Sequence, residues 1–483
     1  MASLRQKTLT GLSWSSIDSI VNQTTQLVVG IILARLLSPR EFGLIGMLAV
    51  FVAVSQGFID SGFNQALIRK NTCTEDDYST VFYFNLAVGV SCYLILFFSA
   101  GLISGYFREP QLFALVRVLG ITLIVNSLGL IQWTILIKEI NFKLQAKVSI
   151  IASGVSGVIG VGMAYHGWGV WSLVWRTVSQ SLIVAGLLWL WNGWRPIFVF
   201  RFKSFREMFN FGSKLLASGL IDTIARNVYY LVIGKYFSAT DLGYYTRADD
   251  FRNKPSAYLT DVVGRVAFPV LAQIKSGETL KASYKKLIKC TMFICLLIMV
   301  GMAAVARPMV VTLVGEKWMP SVPYLRLLCF AGMLYPLQAL NLDMLKVRGR
   351  SDLVLKLEIV KKALIVPTVL IGVFLGIEMM IVGIVAISFI AYFFNSYWSG
   401  MMVNYPMKEQ IADVMPSFII TLAMGAVVSA VGYLLPLKPV ALLSVQVAVG
   451  ASFALGVARL LRLDAYMEME EIVLERLYRR SRT

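Results

Sequence analysis

The sequence predicts an all-α integral membrane protein with about fourteen transmembrane helices, built as two six-helix bundles with two further helices at the C-terminal end. Three observations carry this. Apolar residues make up 57% of the 483-residue chain and mean hydropathy is +0.71, outside the range of a soluble domain. Apolar stretches of about 20 residues recur from end to end, each long enough to cross a hydrocarbon core of roughly 30 Å as a helix. The chain also repeats itself at an offset of 200 residues. Leu33-Ala34-Arg35-Leu36-Leu37-Ser38-Pro39-Arg40-Glu41-Phe42-Gly43-Leu44 lies over Ile233-Gly234-Lys235-Tyr236-Phe237-Ser238-Ala239-Thr240-Asp241-Leu242-Gly243-Tyr244. Leu115-Val116-Arg117-Val118-Leu119 matches Tyr324-Leu325-Arg326-Leu327-Leu328 further on. A repeat this long in an apolar chain points to two related membrane-embedded halves, the usual plan of a secondary transporter.

Taken in order, the first six spans are expected near 10–36, 43–68, 79–104, 111–137, 146–165 and 168–192, forming an N-terminal lobe, 1–192. A linker, 193–208, follows. Its Phe198, Phe200, Phe202 and Phe205 alternate with Arg201, Lys203 and Arg206, a mixture suited to the cytoplasmic headgroup level. The second lobe, 209–401, carries spans near 209–234, 243–272, 286–306, 322–345, 354–375 and 378–401. With six spans per half, the halves are parallel repeats related by an axis along the membrane normal. Spans thirteen and fourteen fall in 402–460, and 461–483 reads as a short amphipathic tail. The first twenty residues are too polar for the apolar core of a signal peptide, so no cleavage is expected.

The net charge of +18 is mostly topology rather than a nucleic-acid footprint. With the N-terminus inside, thirty of the 45 Lys and Arg fall in cytoplasmic segments, seven in outer ones and eight inside spans. That positive-inside bias places both termini in the cytoplasm. Five cysteines show no CxxC spacing and read as small core residues. A single histidine, His166, excludes a multi-histidine metal site, and no Walker A sequence is present. No metal and no cofactor are expected, and the chemistry points to a carrier rather than an enzyme.

Ionisable side chains at bilayer depth are expensive, so their positions are the functional signal. The eighth span is the outlier. Arg247, Asp250, Lys254, Tyr258, Asp261 and Arg265 recur at spacings of 3, 4, 4, 3 and 4 and form one helical stripe. A milder stripe on the first span carries Asp18, Asn22 and Gln26, and the seventh span carries Asp222 and Arg226 at repeat-equivalent positions. Such faces avoid lipid and are expected to line a water-filled cavity. Asp222/Arg226, Asp250/Lys254 and Asp261/Arg265 are also acid-to-base pairs at i, i+4, so mutual neutralisation within each helix is the alternative.

Several of these segments together resemble a known family. Leu33–Leu44, Gly243-Tyr244-Tyr245-Thr246-Arg247-Ala248, Phe268-Pro269, Gly315-Glu316-Lys317-Trp318 and Pro323-Tyr324-Leu325-Arg326-Leu327-Leu328-Cys329 are similar to the polysaccharide transporter branch of the MOP superfamily. The likeness covers essentially the whole chain and is nearest to Wzx-type flippases of the colanic acid exporter group. It implies two bundles in a V around a central cavity. It also implies a job: moving undecaprenyl-pyrophosphate-linked oligosaccharide across the bacterial inner membrane, with a polymerase and chain-length proteins as pathway partners. Cavity cations hold the pyrophosphate in related flippases, which makes Arg226, Arg247, Arg252 and Lys254 the expected binding residues. The first and second spans offer only Asp18 and Asp60, so the expected cation cluster lies in the C-terminal lobe. A MATE-type cation-coupled drug exporter shares the fold class, but its cavity should be dominated by unpaired acids. A membrane glycosyltransferase would need an acidic active site on a sizeable outer loop, and the outer loops here are short.

Overall fold

The computed structural model describes residues 4–60, 62–70, 72–274 and 276–471; within its helices, the side chains of 4–13, 15–17, 211, 261–262, 265–269 and 351 lie outside that description. All regular structure among the described residues is helical. The chain divides into two compact units, Met1–Gly243 and Tyr244–Thr483.

The first unit contains α1 (Leu4–Leu36), α2 (Pro39–Asp60), α3 (Phe63–Arg69), α4 (Glu75–Phe107), α5 (Leu112–Lys138), α6 (Phe142–Tyr165), α7 (Val170–Trp191) and α8 (Phe202–Tyr236), and ends in the first turn of α9 (Ala239–Gln273). α4 packs on α5, α6 on α7 and α1, and α2 on α8. The repeat motif is explained at the starts of α2 and α9. Ser38 N and Oγ donate to Glu41 Oε2 at 2.5 and 2.9 Å, and Ser238 N and Oγ donate to Asp241 Oδ2 at 3.2 and 2.6 Å. Ser at the N-cap with an acid three residues later satisfies helix-end donors that would otherwise be orphaned. Two residues beyond each acid stand Gly43 and Gly243. A Cβ on Gly43 would fall on the Ala239 carbonyl oxygen, and one on Gly243 on the Pro39 carbonyl oxygen. Only glycine permits this backbone-to-backbone crossing.

α8 begins at Phe202, so the expected linker supplies its first turns. Phe205 turns inward, its ring 5.7 Å from Phe63 and 5.1 Å from Phe84, while Phe198 and Phe202 are exposed. Trp194 Nε1 donates to Glu75 at 2.7 Å, and Arg201 pairs with Asp76 at 2.6 Å.

The second unit holds the body of α9, then α10 (Gly277–Ala304), α11 (Ala306–Val314), a 3-10 turn at Glu316–Trp318, α12 (Ser321–Met333), α13 (Tyr335–Val347), α14 (Ser351–Ala363), α15 (Ile365–Leu375), α16 (Ile377–Val403), α17 (Met407–Leu434) and α18 (Pro439–Leu460). Residues 464–471 are helical, and the rest of the expected amphipathic tail lies outside the described residues. Two of the expected continuous spans are broken, at Leu334 and Leu364, and the helix of the ninth span ends at its expected limit with a break at Val305. Pro308, Pro336 and Pro367 cause the breaks: each lacks an N–H and its ring clashes with the carbonyl four residues back, on Ala304, Gly332 and Ala363. The Gly332 carbonyl accepts Ser256 Oγ of α9 instead, at 3.1 Å.

The α10–α17 seam is laced by charge. Lys281 meets Glu409 at 2.8 Å, and Lys285 meets Glu409 at 3.3 Å and Asp413 at 2.9 Å. Lys289 then meets Asp413 at 3.6 Å and Asp464 at 2.7 Å. Buried Tyr405 donates its hydroxyl to Asp413 at 2.8 Å.

Eleven helical segments among the described residues are long and apolar enough to cross a membrane, against the fourteen expected. The expected spans that fall short are the seventh (α8), the eighth (α9) and the eleventh. α8 and α9 carry the internal charges, and the eleventh is split by Pro367 into α14 and α15.

Candidate functional site

The sequence-predicted site residues fall in separate units. In the first, Asn22 Nδ2 of α1 donates to Ser149 Oγ of α6 at 2.5 Å, Asp18 is half-buried beside it and Gln26 is exposed. On α8, Arg226 Nε donates to Asp222 Oδ2 at 2.7 Å, and the arginine side chain remains 69% exposed.

In the second unit, the α9 cluster is built on two faces. Asp250 and Lys254 approach to 3.8 Å, both side chains about half exposed, and Tyr258 is exposed one turn further on. Asp261 and Arg265 continue this face in sequence, but their side chains lie outside the described residues. Arg247, expected on the same water-facing stripe, is instead buried at 5% exposure. Its guanidinium carbon sits 5.2 Å over the Trp318 ring and 6.0 Å over Phe251, and Tyr244 meets Trp318 edge-on at 6.2 Å. A planar, weakly hydrated guanidinium stacks on an indole face at a depth where an ammonium would not be tolerated.

The second face was only partly visible in the sequence. Buried Asp249 accepts from Arg252 Nη2 and from Asn253 Nδ2, both at 2.8 Å. The i, i+3 and i, i+4 spacing of these residues is the signal that could have marked them. The Arg252 stem packs where Gly332 has no side chain: a Cβ there would stand 2.8 Å from Arg252 Cδ. Arg252 is thus held by Asp249 and by the Pro336 break, while Lys254 and Arg226 each pair with an exposed carboxylate. Trp318, the platform for Arg247, escaped the sequence reading of the site because its pairing is tertiary and lies far off in the chain.

Exposed ion pairs of this kind are worth about 0–1 kcal/mol. The arrangement sets a cation beside a carboxylate on α8 and another such pair on α9.

The polysaccharide biosynthesis protein family matches residues 32–323. Relatives include teichuronic acid biosynthesis protein TuaB of Bacillus subtilis (strain 168), 26% identical over 88% of this chain and 89% of its own. Lipopolysaccharide biosynthesis protein WzxC of Escherichia coli (strain K12) is 26% identical over 77% and 76%. Among solved structures, the inward closed conformation of the lipid II flippase MurJ superposes with a TM-score of 0.78 at 13% identity, covering 93% of this chain and 99% of that one. An inward-facing multidrug resistance MATE transporter gives 0.61 at 17% identity, covering 82% and 98%. The fold is that of a MOP-superfamily transporter. By the family match over residues 32–323, the chain belongs to the polysaccharide biosynthesis protein family.

Proposed function

We propose that the protein is a flippase carrying undecaprenyl-pyrophosphate-linked oligosaccharide repeat units from the cytoplasmic to the outer leaflet of the bacterial inner membrane by alternating access. The observation that supports this most is the set of exposed, weakly paired cations on α8 and α9 in a chain of this family. TuaB is named for teichuronic acid biosynthesis, WzxC for lipopolysaccharide biosynthesis and MurJ as a lipid II flippase, which favours a carrier over an enzyme.

The physical chemistry suits that task. A pyrophosphate carries about two negative charges, and moving it through bare hydrocarbon is prohibitive. Arg226 offers bidentate donors and Lys254 a point charge, each released as the pyrophosphate displaces its carboxylate. Arg247, buried beside Trp318, and Arg252, part-buried beside Gly332 and paired with Asp249, are reached if the walls around α9 part. With the cytoplasm negative, outward movement of each anionic charge is assisted by about 2.3 kcal/mol per 100 mV. The thirty-to-seven split of cations supports cytoplasmic termini, the side from which the loaded lipid would enter. A MATE-type drug exporter would present unpaired acids to a cationic drug; here Asp222, Asp249 and Asp250 each have a base beside them.

Translocation of a fluorescent lipid-linked oligosaccharide in proteoliposomes tests the reading. Lys254→Ala and Arg226→Ala should abolish transport while the protein remains in the membrane, and Arg226→Lys should recover part of it. Full transport by the Asp250→Asn/Lys254→Gln double variant would reduce that pair to mutual neutralisation and remove Lys254 from the site.

A further inference from the structure

The second unit holds another concentration of unspent positive charge, away from α9. At the end of the helices remote from the α18 C-terminus, a cavity of about 670 Å³ opens between α11, α12, α17 and α18. Arg307 in the first turn of α11 and Arg326 of α12 both line it, and both are exposed. Among the described residues neither has a carboxylate within ion-pair distance, in contrast to Arg226, Arg252 and Lys254. Glu316 stands on the same wall and leaves the cavity one positive charge in excess.

The opposite wall supplies an independent sign of a ligand. Gln446 of α18 is 2% exposed, and its Nε2 donates to the Val428 carbonyl at 2.8 Å. Its Oε1 has no hydrogen-bond partner. A buried amide oxygen left without a donor keeps an unmet desolvation cost, and its residue lines the cavity. The rest of the lining is mixed, with apolar Val311, Val322 and Leu442 beside Ser429 and Tyr433. Two guanidinium groups suited to phosphate oxygens, an acceptor awaiting a hydroxyl and a partly apolar lining describe an amphiphile with a phosphate and a hydroxyl in its headgroup.

We propose that this cavity binds an anionic phospholipid headgroup, its phosphate between Arg307 and Arg326 and its headgroup hydroxyl on Gln446 Oε1, with the lipid chains against α17 and α18. The site stands apart from the transport reading, because lipid binding is measured without any translocation.

The test is native mass spectrometry of the full-length protein in detergent, titrated separately with phosphatidylglycerol, phosphatidic acid, phosphatidylcholine and inorganic phosphate. Phosphatidylglycerol should bind at least tenfold more tightly than phosphatidylcholine. The Arg307→Gln/Arg326→Gln variant should lose that preference, and Arg307→Lys/Arg326→Lys should restore part of it. Gln446→Leu should weaken phosphatidylglycerol but leave phosphatidic acid, which has no headgroup hydroxyl, unchanged. Both arginines are exposed, and a melting temperature within a degree or two of wild type in the double Gln variant checks that the fold survives. Wild-type lipid preference in the double Gln variant would overturn the site. Equal competition by millimolar inorganic phosphate would overturn the lipid and leave a free-anion site.

Discussion

Asp413 is the rung on which the α10–α17 seam depends, and its removal should be felt throughout the second unit. Its carboxylate takes Lys285 at 2.9 Å, Lys289 at 3.6 Å and the buried Tyr405 hydroxyl at 2.8 Å, with its own side chain 14% exposed. The lysines have other acids to fall back on, Glu409 at 3.3 Å and Asp464 at 2.7 Å, so their loss is partial. Among the described residues the Tyr405 hydroxyl has Asp413 as its acceptor and no second acid, and a hydrogen bond to a charged group is worth about 1.5–3 kcal/mol. Adding a fraction of the two Lys contacts, Asp413→Ala should cost about 3 kcal/mol. Asp413→Asn keeps an acceptor for Tyr405 and should cost about 1 kcal/mol. At about 2–4 °C per kcal/mol for a body of this size, the Ala variant should melt about 6–12 °C lower. Thermal unfolding of purified protein in detergent, at low and high salt, measures this. Two variants melting within about a degree of wild type would show that the ladder is decorative.

Gly332→Ala should destabilise by about 1–3 kcal/mol by pressing on the Arg252 stem and Met299, and Arg252→Ala in the same chain should relieve part of that cost; additive losses in a melting-temperature cycle would refute the coupling. Gly43→Ala should sharply lower the amount of folded protein in the membrane, whereas Gly101→Ala, with open space around it, should not; equal yields by fluorescence-detected chromatography would deny the crossing. Lys289 holds the Asp464 carboxyl below its ordinary value of 3.8. Its depressed value means that this contact contributes stability above pH 3.8, lost as pH falls through the lowered value. The acid limb of the melting-temperature profile should therefore flatten in Asp464→Asn, and an unchanged limb would contradict it.

Much of the architecture could be read from the chain because a bilayer imposes one period and one length on every element. The breaks at Leu334 and Leu364 escaped because an apolar window averages across a proline and sees one span where there are two helices. At the candidate site, Asp222/Arg226 and Asp250/Lys254 were legible, being contacts within one helix. The stacking of Arg247 on Trp318 was not: it depends on where the 3-10 turn after α11 comes to rest, which no local spacing encodes. Arg326 was read as one more charge inside a span, yet it borders a cavity near the start of α12. The Ser-x-x-acid order is legible as a repeat, whereas its capping role rests on the hydrogen bonds at Ser38 and Ser238.

The crossing of Gly43 and Gly243 has a consequence for how the two copies can change. In most duplicated chains each copy drifts alone, since its neighbours are its own. Here a side chain added at residue 43 strikes the main chain at Ala239, and one added at residue 243 strikes the main chain at Pro39. Main chain cannot be trimmed by a compensating substitution elsewhere, so neither copy is free to lose its glycine while the other keeps its place. The two stretches are held in step by touching each other. A chimera joining unlike halves from different relatives would have to bring a glycine to both sides of this contact, or part the helices that it joins.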